Sequence, residues 1–285
     1  MPGSAVPVVD THTHVIAADG ARFPLHPPPG LADFRGWYRD APVSAEGLFE
    51  EMDGAGVGKA VLVQAYSAYG SDNGYVTAGA RAHPDRSTSV VIVDGGTGGA
   101  AALRGLAEQP EVTGVRLFAI GNPSLPGLDD ELAIPVWETA VALELRVVVT
   151  ILAPQLPELR TMLARYPDSL IVLDHCGFPD VTGGAAFPGA AGLFELAASP
   201  NLHLKVSSHL LELVDAEGDP RDFVDRLATE YGAERLLWGS DYPQTHDRPY
   251  RALVDLGRHA CSRLPDDAQR AFLGGNARRL WPALA

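Results

Sequence analysis

The chain has 285 residues, 46% of them hydrophobic, and its 22 Lys and Arg face 36 Asp and Glu, a formal net charge of −14 at pH 7. Such a chain can bury one full core, and (β/α)8 barrels of roughly 250 residues commonly form one domain. An acidic chain without a Lys/Arg cluster repels a phosphate backbone or an anionic membrane surface, which argues against nucleic acid and membrane as partners and for a small-molecule substrate.

The longest apolar run, near 147–153, is far shorter than a bilayer span. The opening Met-Pro-Gly-Ser-Ala-Val-Pro lacks the charged and apolar regions of a secretory signal. The two cysteines, Cys176 and Cys261, fit neither a disulfide framework nor a CxxC knuckle. These features together predict a cytoplasmic protein. Its oligomeric state stays open, a homo-oligomer included, because outer-helix and dimer faces read alike in sequence.

Along the chain, runs rich in Val, Ile and Leu at 6–10, 59–64, 87–93, 112–117, 146–151, 170–173, 202–206 and 235–238 read as strands. Helical spacing falls between and after them, at 46–55, 75–82, 100–108, 134–143, 157–166, 193–198, 222–231 and 250–258. Eight near-continuous apolar strands alternating with helices predict an α/β fold, a (β/α)8 TIM barrel in one domain over 1–285. The stretches 20–42, with Pro24, Pro27, Pro28 and Pro29, and 178–192, rich in Gly and Pro, interrupt the rhythm after strands and read as loops over the barrel mouth.

In a TIM barrel the reacting groups stand at the C-terminal ends of strands. The first strand ends Asp10-Thr11-His12-Thr13-His14, and residues two apart share a face, so both imidazoles can converge on one point. The sixth strand reads on through Asp174 to His175, and the eighth runs into Gly239-Ser240-Asp241. Nitrogen and oxygen groups so placed can hold a divalent ion or activate water without one. Arg116 and Lys205 can point inward as substrate contacts, Arg116 with a bidentate fork for a carboxylate. Gln64, Tyr66, Thr150, Ser207 and His209 stand at strand ends or just beyond and are further substrate-binding candidates, with Asp94 and His246 secondary ones. The aromatics Phe23, Phe34, Trp37, Tyr38, Tyr66 and Tyr69 can line a pocket.

These residues resemble the amidohydrolase superfamily, in particular its lactonase branch of 2-pyrone-4,6-dicarboxylate lactonases and sugar-acid lactonases. The likeness spans nearly the whole chain. It rests on Val9-Asp10-Thr11-His12-Thr13-His14, the stretch QAYSAYGSDN from Gln64 to Asn73, Gly114-Val115-Arg116, Leu173-Asp174-His175-Cys176-Gly177, Lys205-Val206-Ser207 and Gly239-Ser240-Asp241-Tyr242-Pro243. The resemblance implies a hydrolase that opens a lactone or related cyclic carbonyl compound. Asp241 would be the general base, with His12, His14 and His175 around the carbonyl. It also implies His12, His14 and Asp241 as ligands of one zinc or manganese ion. Superfamily members that depend on a metal usually place a histidine at the end of the fifth strand, where this chain has Thr150, so a metal-free mechanism stays open beside the metal-bound one.

That same Thr150 counts against the second reading, a metal-dependent decarboxylase of an aromatic or unsaturated acid. Where the dicarboxylate lactonases carry further arginines, this chain reads Leu117-Phe118-Ala119-Ile120-Gly121-Asn122 and Ser207-Ser208-His209-Leu210-Leu211. A less acidic or more apolar lactone fits better, since each desolvated carboxylate needs a charged partner. A third reading, a barrel that binds a ligand without turning it over, gives no use for a water-activating carboxylate beside imidazoles. Each residue also has a plainer role open to it: an Asx turn for Asp241, a strand-ending turn for His175, an internal ion pair for Lys205 or Arg116. Cys176 reads as a small buried hydrophobe, not a nucleophile, because neighbours on a strand face opposite ways.

Overall fold

The computed structural model describes residues 8–28 and 36–285. The first two residues of the expected first strand, part of the expected loop at 20–42, and Phe34 lie outside them. Eight parallel strands form one sheet in sequence order: β1 (Val8–Thr13), β2 (Val57–Val63), β3 (Ser87–Val91), β4 (Val112–Phe118), β5 (Arg146–Thr150), β6 (Ile171–Leu173), β7 (Leu202–Ser207) and β8 (Leu236–Gly239). The sheet closes on itself where the Asp241 amide donates to the His12 carbonyl and the His14 amide to the Tyr242 carbonyl, each at 2.8 Å. The expected (β/α)8 barrel is what the chain forms. Among the described residues no helix is long and apolar enough to cross a membrane.

Period-two alternation divides the core in two. Residues facing outward, such as Leu62, Val91, Val115, Val149 and Leu204, pack under the helices, where Leu48, Met52, Leu103, Trp137 and Phe223 meet them. Residues facing inward, Val9, Val61, Val63, Val90, Val148, Val172 and Leu237, fill the barrel. The last residues of the chain, with Leu280, Trp281 and Leu284, close its N-terminal end. Among the described residues that end is filled by side chains, and the cavity described below lies at the opposite rim.

Two local features set that rim. Pairing of β1 with β2 slips between Asp10 and Thr13, a strand irregularity of the kind that re-aims side chains next to active sites. Beside it β8 approaches β1 so closely that a Cβ on Gly239 would stand 2.7 Å from the His12 Cβ. Glycine alone fits there.

The sequence missed one long helix. Ser208–Glu217 follows β7 directly, its N-terminus capped by the Ser207 side chain, which accepts from the Leu210 amide at 3.3 Å. His209, expected just beyond the seventh strand, therefore lies in the first turn of this helix.

Candidate active site

The sixth strand ends at Leu173, as expected, and the chain leaves it through a turn of unusual hand. His175, Cys176, Gly177 and Phe178 all have positive φ, of 52°, 54°, 73° and 49°. Three of the four are not glycine, and each such residue costs roughly 1–2 kcal/mol in this region. Strain of this kind persists only where the surroundings enforce it, and it gathers at functional sites. Here it turns His175 toward the mouth while Cys176 sinks into the core under the helices, its thiol 3.6 Å from the Lys205 carbonyl. Burial pushes that thiol above its ordinary pKa. Cys176 is thus a buried hydrophobe as expected, but because of the left-handed turn and not because of strand alternation. Asp241, with φ 62°, takes the same conformation after β8.

The first-strand imidazoles are held by their Nδ1 atoms. His14 Nδ1 lies 2.8 Å from the Val63 carbonyl, which can only accept, so the proton is on Nδ1 and Nε2 carries a lone pair. His12 Nδ1 lies 3.2 Å from Asp174 Oδ1, nearer than the Lys205 ammonium at 3.4 Å, and the carboxylate fixes the same tautomer. Both bare Nε2 atoms face Asp241 Oδ1, from 3.6 Å for His12 and 3.4 Å for His14. Three lone-pair donors thus converge, and His12 Nε2 and Asp241 Oδ2 are buried with no hydrogen-bond partner among the described residues. Ligands about 2.1 Å from a tetrahedral ion stand roughly 3.4 Å apart, so the donor set fits one divalent cation of the zinc type. The ligand atoms of His12, His14 and Asp241 all lie within 4.8 Å of one another.

Around this trio stands His175, its Nδ1 2.8 Å from the Ser207 hydroxyl and its ring 4.7 Å from that of His12. Phe178 stacks on its other side at 4.6 Å. Burial lowers the His175 pKa to about 4 and holds His12 well below the usual imidazole value, so both rings are neutral near pH 7. Burial alone would protonate Asp241, but His175, His14 and His12 outweigh it and hold the carboxyl below the ordinary carboxylate range. An ionised acceptor therefore sits beside the neutral rings of His12 and His175.

The residue that sequence reasoning left out is Asp174. It is fully buried. Its Oδ2 accepts from Arg116 Nε at 2.8 Å and from the Thr150 hydroxyl at 2.7 Å, while Oδ1 lies 3.1 Å from the Lys205 ammonium. Burial opposes its ionisation, yet Lys205, His12 and Arg116 hold its pKa well below the usual value. A charged residue at a strand end was the available signal, and only the fold reveals that two cations and His12 meet on it.

A cavity of about 360 Å³ opens above these groups. His14, Arg116, Thr150, His175 and Asp241 face it, as do Trp37, Tyr38, Tyr66, Phe118, Ile120 and Phe178, with Gln244 and His246 at the exposed edge. Several expected substrate contacts lie elsewhere. Lys205 is fully buried in the barrel interior, between Asp174 and the Trp281 ring, and its ammonium lies 5.9 Å from that ring's centre. Gln64 donates to the Gly70 and Asp72 carbonyls at 3.0 and 2.7 Å and so braces the loop after β2. Ser207 orients His175, and His209 stands 6.5 Å from His175 without lining the cavity. Asp94 accepts from Ser71 and Ser124 away from the cavity. Of the aromatics, Phe23 packs on Tyr75 and Tyr69 takes the Ala17 amide.

The buried histidines make stability depend on pH. His175 and His203 are both held near 4 by burial, against about 6.5 in an unfolded chain. Their contribution is complete above pH 6.5 and is lost as pH falls through that window toward 4, with His12 acting in the same sense. Asp10, raised by burial to about 6, opposes them as one group. The balance is about two protons, so the unfolding free energy of the metal-free chain should fall by roughly 2–3 kcal/mol per pH unit between pH 6 and 4.5. Urea titrations across that range check this; a flat profile would contradict it.

A TIM barrel with His-x-His, a third histidine and an aspartate at its open rim defines a class of barrel enzymes that act on small polar groups with activated water. The chain belongs to the amidohydrolase family, whose model matches residues 9–283. It is similar to an L-fucono-1,5-lactonase of Burkholderia ambifaria, 30% identical over 188 residues, or 62% of this chain and 63% of that protein. The matched region thus spans less than two thirds of that relative. Among solved structures, a probable 2-pyrone-4,6-dicarboxylic acid hydrolase of Acinetobacter baumannii with citric acid bound superposes with a TM-score of 0.76 at 21% identity, over 97% of this chain and all of that one. An amidohydrolase of Burkholderia multivorans with bound zinc gives a TM-score of 0.74 at 21% identity, over 97% and 99% of the two chains. At such identities the structures share the fold.

Proposed function

We propose that this protein hydrolyses a lactone, with Asp241 as the base that takes a proton from the attacking water. The observation that carries the reading is the ionised Oδ2 of Asp241, without a hydrogen-bond partner among the described residues and buried at the floor of the cavity among three imidazoles. The likeness to an L-fucono-1,5-lactonase supports lactones as the substrate class. Water beside Asp241 loses its proton to the carboxylate as it adds to the ring carbonyl. The oxyanion that forms meets His175 as the donor of the floor. As the tetrahedral centre collapses, the ring C–O bond breaks and Asp241 returns its proton to the departing alkoxide.

A zinc or manganese ion would be held by His12, His14 and Asp241. When bound it would lower the pKa of water and polarise the carbonyl. The decarboxylase reading finds no support at β5, because the Thr150 hydroxyl is spent between Arg116 and Asp174, each at 2.7 Å.

Elemental analysis of purified protein, with lactone hydrolysis assayed before and after chelation, tests both parts. We expect about one equivalent of divalent metal and a loss of at least tenfold in rate on its removal, restored by zinc or manganese. Full activity after chelation would remove the metal from the reading. An absence of hydrolysis from the metal-loaded protein on any lactone would remove the lactonase.

A further inference from the structure

Resting on the lactonase reading, we infer that the substrate is a flat, largely apolar lactone bearing a single carboxylate, and neither a polyhydroxylated sugar lactone nor a dicarboxylate. Three features of the cavity lead there.

The first is the distribution of polarity. The walls are mainly carbon: Trp37 stacks on His14 at 5.4 Å, Tyr66 on Phe118 at 4.5 Å, and Ile120 and Phe178 complete them. Beyond the reacting floor the polar groups are Ser67, the hydroxyls of Tyr38 and Tyr66, and Gln244 and His246 at the exposed edge. A ring with several hydroxyls would set most of them against aromatic faces, and each buried hydroxyl left without a partner weakens binding. A flat apolar ring stacks there without that loss.

The second is the bonding of Arg116, the one Arg or Lys among the described residues that line the cavity. Its Nε is committed to Thr150 and Asp174, and its plane lies 5.0 Å from the Phe118 ring centre. Among the described residues the two terminal nitrogens have no partner, and they remain for an anion.

The third is the position of the other cation. Lys205, like Arg116, pairs with Asp174, at 3.1 Å against 2.8 Å. A second carboxylate would meet no further cationic side chain among the described residues, since Lys205 is closed off beneath Asp174 and does not face the cavity.

The experiment compares four lactones with the metal-loaded wild-type protein: 3,4-dihydrocoumarin, a carboxylated dihydrocoumarin, an aldono-1,5-lactone and a pyrone dicarboxylate. We expect kcat/KM for the carboxylated aryl lactone to exceed each of the others at least tenfold, the scale of one charge-assisted hydrogen-bonded pair. A sugar lactone or dicarboxylate that is turned over as well or better overturns the inference while keeping the lactonase. A failure of the lactonase itself is separated by calorimetry on Asp241→Asn with ligands that need no turnover. There coumarin-3-carboxylate should bind at least tenfold tighter than coumarin or an aldonate. Equal affinities would overturn the inference whether or not any lactone is opened.

Discussion

Asp241→Asn should lower kcat for lactone opening by about 10²–10⁴ while leaving the fold and ligand affinity in place, the range expected when a positioned general base is lost. Asparagine is close to the same shape and, like aspartate, tolerates the left-handed conformation that residue 241 adopts at φ 62°. The Asp241 amide bond to the His12 carbonyl, which helps close the barrel, is a main-chain bond and survives. What disappears is the acceptor. The Asn amide cannot take a proton from water at neutral pH, and its NH₂ group turns donors toward the bare Nε2 atoms of His12 and His14. Steady-state kinetics, thermal melting and metal content measured on one preparation separate the effects. A variant that keeps more than a tenth of the rate with its metal intact would remove Asp241 from the chemistry. A variant that loses metal along with rate would assign it to the ion as well, and adding excess zinc would then restore content without restoring turnover.

How much of this was legible beforehand depends on whether a residue's role is set by period and position or by its partners. Strand alternation put His12 and His14 on one face, and the rule that strand ends carry the chemistry pointed to His175 and Asp241. Those inferences needed only the backbone. Lys205 obeyed the same alternation and did point inward, yet sequence gives no depth along a strand axis, and it lies fully buried beside Trp281 instead of at the mouth. Gln64 stands just past β2 as expected, but its amide turns back to the loop carbonyls of Gly70 and Asp72. Asp174 was hidden for the opposite reason. Its neighbour His175 carried the attention, and only the left-handed turn after Leu173 explains how two adjacent residues both serve the site, one facing the cavity and the other the ions beneath it.

Asp174→Asn should destabilise the protein by about 3–5 kcal/mol, the usual effect of leaving buried charges without their partner. The substitution keeps the shape and an acceptor for the Thr150 hydroxyl. It removes the charge that faces Arg116 at 2.8 Å, Lys205 at 3.1 Å and His12 at 3.2 Å. Arg116 cannot shed its proton, whereas Lys205, whose pKa burial already lowers, can, and that escape limits the loss. Removing the second cation should therefore recover much of it: Asp174→Asn with Lys205→Met should be more stable than Asp174→Asn alone by at least about 1 kcal/mol, a coupling that a double-mutant cycle in urea reads directly. Catalysis should not recover with stability. His12 needs the Asp174 carboxylate to keep its proton on Nδ1 and its Nε2 lone pair toward Asp241. In both variants kcat should stay depressed even where melting is rescued. If Asp174→Asn unfolds within 1 kcal/mol of wild type, Lys205 is already neutral and the charge argument fails. If the double variant regains full turnover, Asp174 serves the fold alone and does not orient His12.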